Sequence, residues 1–81
     1  MPQPQLDKLV TYMAQALVDK PNSVEVSEYD TESGLLYELR VDPSDIGKVI
    51  GKSGRTAEAM RVILNAVSLK HGRRIHLDIL D

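Results

Sequence analysis

One stretch of the chain decides the fold, and it reads Ile46-Gly47-Lys48-Val49-Ile50-Gly51-Lys52-Ser53-Gly54-Arg55. Apolar residues run up to a short loop at 51–54, and residues 56–61 have the pattern of the first turns of a helix. Glycine has no Cβ, so a phosphate can approach the main chain closely and the turn can adopt positive φ. The helix that follows turns free N–H groups and the positive end of its dipole toward the loop. The stretch therefore predicts a loop between two helices that suits a sugar–phosphate backbone.

These residues resemble the signature of the KH domain, an RNA-binding module whose Gly-x-x-Gly loop clamps four nucleotides. Gly-x-x-Gly alone is a weak signal, but here an Ile-Gly-x-Val-Ile run precedes it and an apolar-periodic helix follows it. The segment 41–57 is close to the central segment of the small single-KH bacterial proteins of the KhpA type. The resemblance covers essentially the whole chain and implies a single type II KH domain at 1–81, with its minimal motif at 35–80.

The resemblance also implies a role for each residue of the stretch. A groove of this kind takes single-stranded RNA, because only splayed bases fit it, and a strand edge supplies hydrogen bonds to base edges. Ile50 is equally consistent with a purely core role. The resemblance implies that the RNA backbone is held by Gly51, Lys52, Ser53 and Gly54. It implies flanking phosphate contacts at Arg55 and Lys48, and a further RNA contact at Gly47. The implied apolar floor of the groove consists of Ile46, Val49, Ile50 and Ala57.

Length and composition are those of one small soluble globular domain. The chain has 81 residues, of which 42% are hydrophobic and 27% charged, and it has no cysteine. Disulfides and thiolate metal sites are therefore excluded. No apolar run approaches membrane-spanning length, and the first four residues lack the features of a signal peptide. We expect a cytoplasmic protein without a membrane partner, and we expect residues 1–4 to be frayed.

The net charge of −2 hides a division of the chain into an acidic and a basic half. Residues 1–45 carry three basic and nine acidic residues, a net charge of −6, whereas residues 46–76 carry seven basic residues and one acidic residue, a net charge of +6. The local field matters more than the isoelectric point for binding a polyanion. The basic half is built around the glycine loop, which favours nucleic acid as the partner. Part of this basic charge is explained by helix capping, since Lys70, Arg73 and Arg74 lie near a helix end. Arg61 is interpreted as part of a solvated helix face.

Periodicity predicts six main elements in the order α-β-β-α-α-β, an α+β fold. Apolar residues at helical spacing from Leu6 to Leu17 predict an amphipathic core helix, which Asp19-Lys20-Pro21-Asn22 ends. Alternation predicts a hairpin of strands 23–29 and 35–41 around the turn 30–34. The last strand, 74–80, should run parallel to the second because a helical crossover precedes it. We expect a three-stranded mixed sheet with all three helices on one face.

The two central helices have clear boundary signals. Asp42 suits the N-cap and Pro43 the first position of the first of them, with Asp45 in the favourable first turn near the dipole. This helix is short and ends at Gly51. The next helix is predicted from about 55 to 71, with Gly72 at its C-terminal end.

An enzyme is not indicated. Residues 47–53 resemble the nucleotide-binding Gly-x-x-x-x-Gly-Lys-[Ser/Thr] loop, but the first glycine of that motif would have to be residue 46, which is isoleucine. The loop also follows a helix rather than a strand. Two histidines without cysteine, His71 and His76, do not make a metal site, and no catalytic set can be assigned. We expect no catalytic residues, no metal and no cofactor.

The alternative function is a protein-interaction module that keeps the KH fold. The intact, basic loop favours RNA, but the two roles can coexist. The resemblance implies a homodimer, or a heterodimer with a larger KH-containing protein of the KhpB or Jag type. It also implies RNA chaperoning or post-transcriptional regulation linked to cell elongation and division.

Overall fold

The computed structural model describes residues 5–80, and its elements follow the predicted order. The prediction that residues 1–4 are frayed lies outside this range. Single 3-10 turns at Pro21–Ser23, Pro43–Asp45 and Lys52–Gly54 separate some of the longer elements. The helices are α1 (Leu6–Leu17), α2 (Ile46–Ile50) and α3 (Arg55–His71), and the strands are β1 (Glu25–Thr31), β2 (Gly34–Arg40) and β3 (Ile75–Ile79).

The strands form one mixed sheet in the order β1-β2-β3. β1 and β2 pair antiparallel, and β2 and β3 pair parallel, which confirms the predicted topology. The hairpin turn is shorter than predicted, because Asp30 and Thr31 still pair with Leu35 and Gly34. Two polar contacts hold these residues in the strand. Thr31 Oγ1 donates to the Gly34 carbonyl at 2.7 Å, and the Arg73 guanidinium donates to Asp30.

The core lies between one face of the sheet and the helices. Alternate residues of β2 point inward and are buried, as the alternation predicted, while Arg40 is exposed. α1 packs on β1 and β2, and α3 packs on β3. Leu17, predicted as core, is 37% exposed because it is the last residue of α1. The buried core residues are Leu6, Val10, Ala14, Leu35, Tyr37, Leu39, Val41, Val49, Met60, Leu64, Ile75 and Leu77.

Tyr37 is the largest fully buried side chain, and its hydroxyl finds a partner at the edge of the core. It donates a hydrogen bond to Glu28, which lies directly opposite on β1. Burial, followed by this interaction with Glu28, raises the pKa of Tyr37. The hydroxyl therefore stays protonated and ties the two hairpin strands together.

The predicted helix boundaries are confirmed at three places. The Asp42 side chain accepts a hydrogen bond from the Ser44 N–H at 3.0 Å, and Pro43 occupies the first position of the turn that leads into α2. α3 ends at Gly72, whose φ of 72° lies in the left-handed region and whose N–H donates to the Ser68 carbonyl. These caps fix where the turn that leads into α2 begins and where α3 ends.

Asp45 lies in the first turn, as predicted, and it has a second role that the sequence did not reveal. Its side chain is buried, with an exposed fraction of only 1%. Its two oxygens accept hydrogen bonds from the N–H groups of Asp19 (3.2 Å) and Lys20 (3.0 Å), at the end of α1. Burial raises the pKa of Asp45, but these hydrogen bonds and Lys48 outweigh burial, so the pKa lies below its ordinary value. Asp45 therefore ties α1 to the start of α2.

Candidate nucleic-acid interface

The loop between α2 and α3 has a backbone that few sequences can adopt. Gly51, Ser53 and Gly54 have φ values of 78°, 57° and 74°. A Cβ on Gly51 would lie 2.2 Å from Thr56 Oγ1, so a side chain at position 51 is excluded by contact as well as by φ. Ser53 is the only residue other than glycine with positive φ among residues 5–80. The sequence thus builds a narrow turn with an unobstructed main chain.

The loop presents donors and charge to solvent. Within residues 5–80, the N–H groups of Lys52 and Ser53 donate no hydrogen bond, whereas the Gly54 N–H donates to the Gly51 carbonyl at 3.2 Å. Lys52 and Ser53 are exposed, and so is Arg55 at the start of α3. Neither Lys52 nor Arg55 forms an ion pair with any carboxylate of the described chain. Two cations without an ion pair and two amides without a hydrogen bond among the described residues therefore lie within four consecutive positions, 52–55.

Lys48 lies in a different electrostatic setting. Its Nζ is 3.2 Å from Asp19 and 3.4 Å from Asp45, and these two carboxylates, Asp19 first, raise the pKa of Lys48. The ammonium is already compensated by two negative charges. A phosphate at Lys48 would have to compete with both of them.

The predicted apolar floor needs a correction. Val49 is 0% exposed and Ala57 is 3% exposed, so neither offers surface to a base; they support the floor from beneath. Ile46 is half-buried and packs against the core. Ile50 is half-buried without joining that cluster, which leaves it available at the surface.

Gly47 has no structural reason within the described chain to be glycine. It lies inside α2, where glycine costs about 1 kcal/mol relative to alanine. Its φ is not positive, and a Cβ added to it would meet nothing within 4 Å. The space in front of Gly47 is open, as a site of close approach by a ligand would be.

One contact in this region was missed from the sequence. The Arg61 guanidinium donates to the Leu77 carbonyl through Nε at 3.3 Å and Nη2 at 3.1 Å, so its interpretation as part of a solvated helix face is wrong. Arg61 thereby bridges α3 and the outer edge of β3. No local pattern could reveal this contact, because the two residues are 16 positions apart in the chain.

The basic half of the chain is partly neutralised in the fold. Arg73 Nη2 lies 2.7 Å from Asp30 Oδ1, which removes one cation from the surface field. No set of three or more histidine, cysteine or acidic side chains within residues 5–80 is arranged to hold a metal ion. Over the same residues, no helix has the length and apolar content needed to cross a membrane.

Residues 7–79 match the family described as "KhpA/KhpB, KH domain". The chain belongs to this family. A KhpA/KhpB-family protein of Halalkalibacterium halodurans, named RNA-binding protein KhpA, is 53% identical over 90% of this chain and 96% of its own length. A protein of the same name from Aquifex aeolicus is 47% identical over 94% of this chain and 96% of its own length.

The fold also occurs in a solved structure of lower sequence similarity. A crystal structure of Aquifex aeolicus Era superposes with a TM-score of 0.68 and an identity of 19%. The match covers 98% of this chain and 31% of the Era chain. This likeness concerns the fold alone, and it agrees with the α-β-β-α-α-β order of the KhpA/KhpB-family chain described above.

Proposed function

We propose that this protein binds single-stranded RNA, with the Gly51–Gly54 loop holding the sugar–phosphate backbone. The observation that carries the proposal is the loop itself, where the amides of Lys52 and Ser53 donate no hydrogen bond and Lys52 and Arg55 form no ion pair within residues 5–80. The names of the relatives, which are RNA-binding proteins, support the same ligand. Binding rather than catalysis is the activity, and the cytoplasm is the compartment in which we place it.

Each part of the site has a role in this proposal. The amides of Lys52 and Ser53 donate to phosphate oxygens, and the charges of Lys52 and Arg55 compensate the phosphates. Bases turn toward α2, where the open space at Gly47 lets a base approach the helix and Ile50 offers an apolar surface. Double-stranded RNA has no splayed bases to offer this surface.

The first prediction concerns salt and strandedness. With Lys52 and Arg55 each neutralising one phosphate, log affinity for a short single strand should fall with log salt concentration at a slope of about −1.4. Duplex RNA of the same sequence should bind clearly more weakly. Fluorescence anisotropy titrations across a salt series measure both. A slope near zero, or equal affinity for the duplex, would contradict the proposal.

We further propose that the protein self-associates or joins a larger KH protein, and that it acts as an RNA chaperone or post-transcriptional regulator in cell elongation and division. A footprint of about four nucleotides carries too little information to select a transcript alone. Joining two modules raises avidity through effective concentration. A specific surface supports association, namely an apolar outer face of α3 formed by Ala59, Val62, Ile63 and Ala66, on which Val62 is 58% and Ile63 is 47% exposed.

A second copy of the chain is the occupant we assign to the outer face of α3. Two helices can meet through the same apolar stripe about a two-fold axis, and the two alanines permit close approach. The second prediction follows: Val62→Glu should abolish dimer formation in sedimentation velocity while leaving the fold intact, because Val62 makes no core contact. Glu58→Gln, on the same helix, is the control. A parent protein that stays monomeric at high concentration would rule out this assignment.

A further inference from the structure

A pocket lies far from the loop, between the C-terminal half of α3 and the start of β3. Its volume is about 460 Å³, within the range of ligand sites. Along the helix axis, Ser68 is about 20 Å from Arg55, at 1.5 Å per residue. The pocket is lined by Asn65, Ser68, Leu69, Arg74, Ile75 and His76.

The pocket and the loop lie at opposite ends of α3, which packs on β3. α3 runs antiparallel to β3, since Arg61 contacts Leu77 whereas Asn65 and Ser68 lie beside Ile75. The outer edge of β3 therefore runs beside α3 from the Arg61 contact to the pocket. A strand held at the loop would follow α3 past the Arg61 contact to reach the pocket.

The outer edge of β3 offers main-chain groups to the pocket at Ile75. On the inner side, the Arg74 carbonyl accepts from Leu35 N–H and the Leu80 N–H donates to the Leu39 carbonyl. Main-chain groups alternate in direction along a strand. The N–H and carbonyl of Ile75 therefore point to the outer edge, on the same side as the Leu77 carbonyl that accepts from Arg61. The pocket therefore has a main-chain donor and acceptor at Ile75 for a base edge.

The side chains of the pocket supply what else a nucleotide needs. Leu69, 86% exposed, is an apolar surface on which a base can pack, and Asn65 and Ser68 offer polar groups beside it. Arg74 is exposed and forms no ion pair with the described carboxylates, unlike the adjacent Arg73, which is bound to Asp30. His76 Nε2 lies 3.4 Å from the Ser33 carbonyl and closes one side.

We propose that this pocket is a second nucleotide site, which binds a nucleotide of the same RNA strand beyond those held at the loop. Arg74 contacts its phosphate, and its base packs on Leu69 against the strand edge at Ile75. The inference rests on RNA binding at the loop, and it lengthens the footprint beyond the four nucleotides typical of a KH loop. The cation of Arg74 and the apolar surface of Leu69 favour a nucleotide over a second protein copy.

The test compares two oligonucleotides of about four and about ten nucleotides with two matched variants. Arg74→Gln removes the pocket cation, and Arg73→Gln removes the same charge one residue away. We expect Arg74→Gln to lower the affinity for the longer strand about fivefold and its salt slope by about 0.7, and to leave the affinity for the shorter strand unchanged. Arg73→Gln should change neither affinity by as much.

Amide NMR shifts locate the binding directly. The longer strand should shift the amides of Asn65, Leu69 and Ile75, whereas the shorter strand should shift only those around the loop. If the shorter strand binds and the pocket amides stay silent with the longer one, the second site is refuted while RNA binding at the loop stands. Pocket amides that respond to protein concentration rather than RNA would assign the pocket to a second copy. Absence of binding by either strand would refute both proposals.

Discussion

Replacing Lys52 and Ser53 together by aspartate is expected to lower the affinity for single-stranded RNA by on the order of a hundredfold or more. Lys52 is one of two loop cations without an ion pair among the described residues, so its loss removes a phosphate contact outright. The two new carboxylates would stand where the phosphate must approach, in front of the free amides of the turn. A lost attraction and two repulsions act at the same point.

The double variant should still fold. Both side chains are exposed and neither makes a hydrogen bond or ion pair within residues 5–80. The backbone at Ser53, with φ 57° and ψ 27°, is left-handed, and aspartate is among the residues that tolerate this region best. Circular dichroism should therefore show a melting curve close to that of the parent.

Lys8→Asp provides the control for a general charge effect. Lys8 is exposed on α1, in the acidic half of the chain, and should be nearly neutral for RNA affinity. Titration by fluorescence anisotropy compares the three proteins. A folded double variant that binds RNA as well as the parent would move the site away from the loop and favour the protein-interaction function.

Local patterns predicted the elements because local physics fixes them. The bounds of α3 follow from Gly54 before it and Gly72 after it. Both glycines adopt the left-handed conformation, which interrupts a regular helix. The alternation in β2 predicted which residues are buried, since a strand has only two faces. The end of β1 was missed by two residues because cross-strand contacts of Asp30 and Thr31, which no local pattern reveals, extend it.

The site was predicted as a motif, but the accessibility of its members was not. Val49 belongs to the apolar run as much as Ile50 does, and only the packing of α2 on the core decides that Val49 is buried and Ile50 is not. The sequence predicted Lys48 as a phosphate contact and Arg73 as part of a helix cap, whereas the fold brings Asp19 beside Lys48 and Asp30 beside Arg73. Long-range partners of this kind carry no signal in a single sequence.

Asp45 is the clearest such case, and its replacement is expected to have the largest effect on stability. In Asp45→Asn, the side-chain NH2 group would replace one of the two carboxylate oxygens, each of which now accepts from a main-chain N–H. That N–H would then face another donor and be left buried without an acceptor. Lys48 would keep only Asp19 as its counter-charge. We expect the melting temperature at neutral pH to fall on the order of 10 °C.

The pH dependence of that loss identifies its cause. The pKa of Asp45 is lower in the folded protein than in the unfolded chain, so its contribution to stability is fully present above the unfolded value of about 3.9 and is lost as pH falls through the folded value. The difference in melting temperature between parent and Asp45→Asn should therefore be constant near neutrality and shrink below about pH 4. Asp42, whose pKa is also lowered, chiefly by its hydrogen bonds to Ser44, titrates in both proteins and cancels from the difference.

Asp42→Asn is the matched control, because it changes the same group three residues earlier at an exposed cap. Its effect on the melting temperature should be clearly smaller, since water can replace the lost hydrogen bond there. Equal effects of the two substitutions, or a difference for Asp45→Asn that persists unchanged in acid, would show that the buried carboxylate is not what ties α1 to α2. A larger effect at Asp45 that fades in acid means that α2, which leads into the Gly51–Gly54 loop, is held in place by the Asp45 carboxylate. The partners of that carboxylate, Asp19 and Lys20, lie more than 20 positions earlier in the chain.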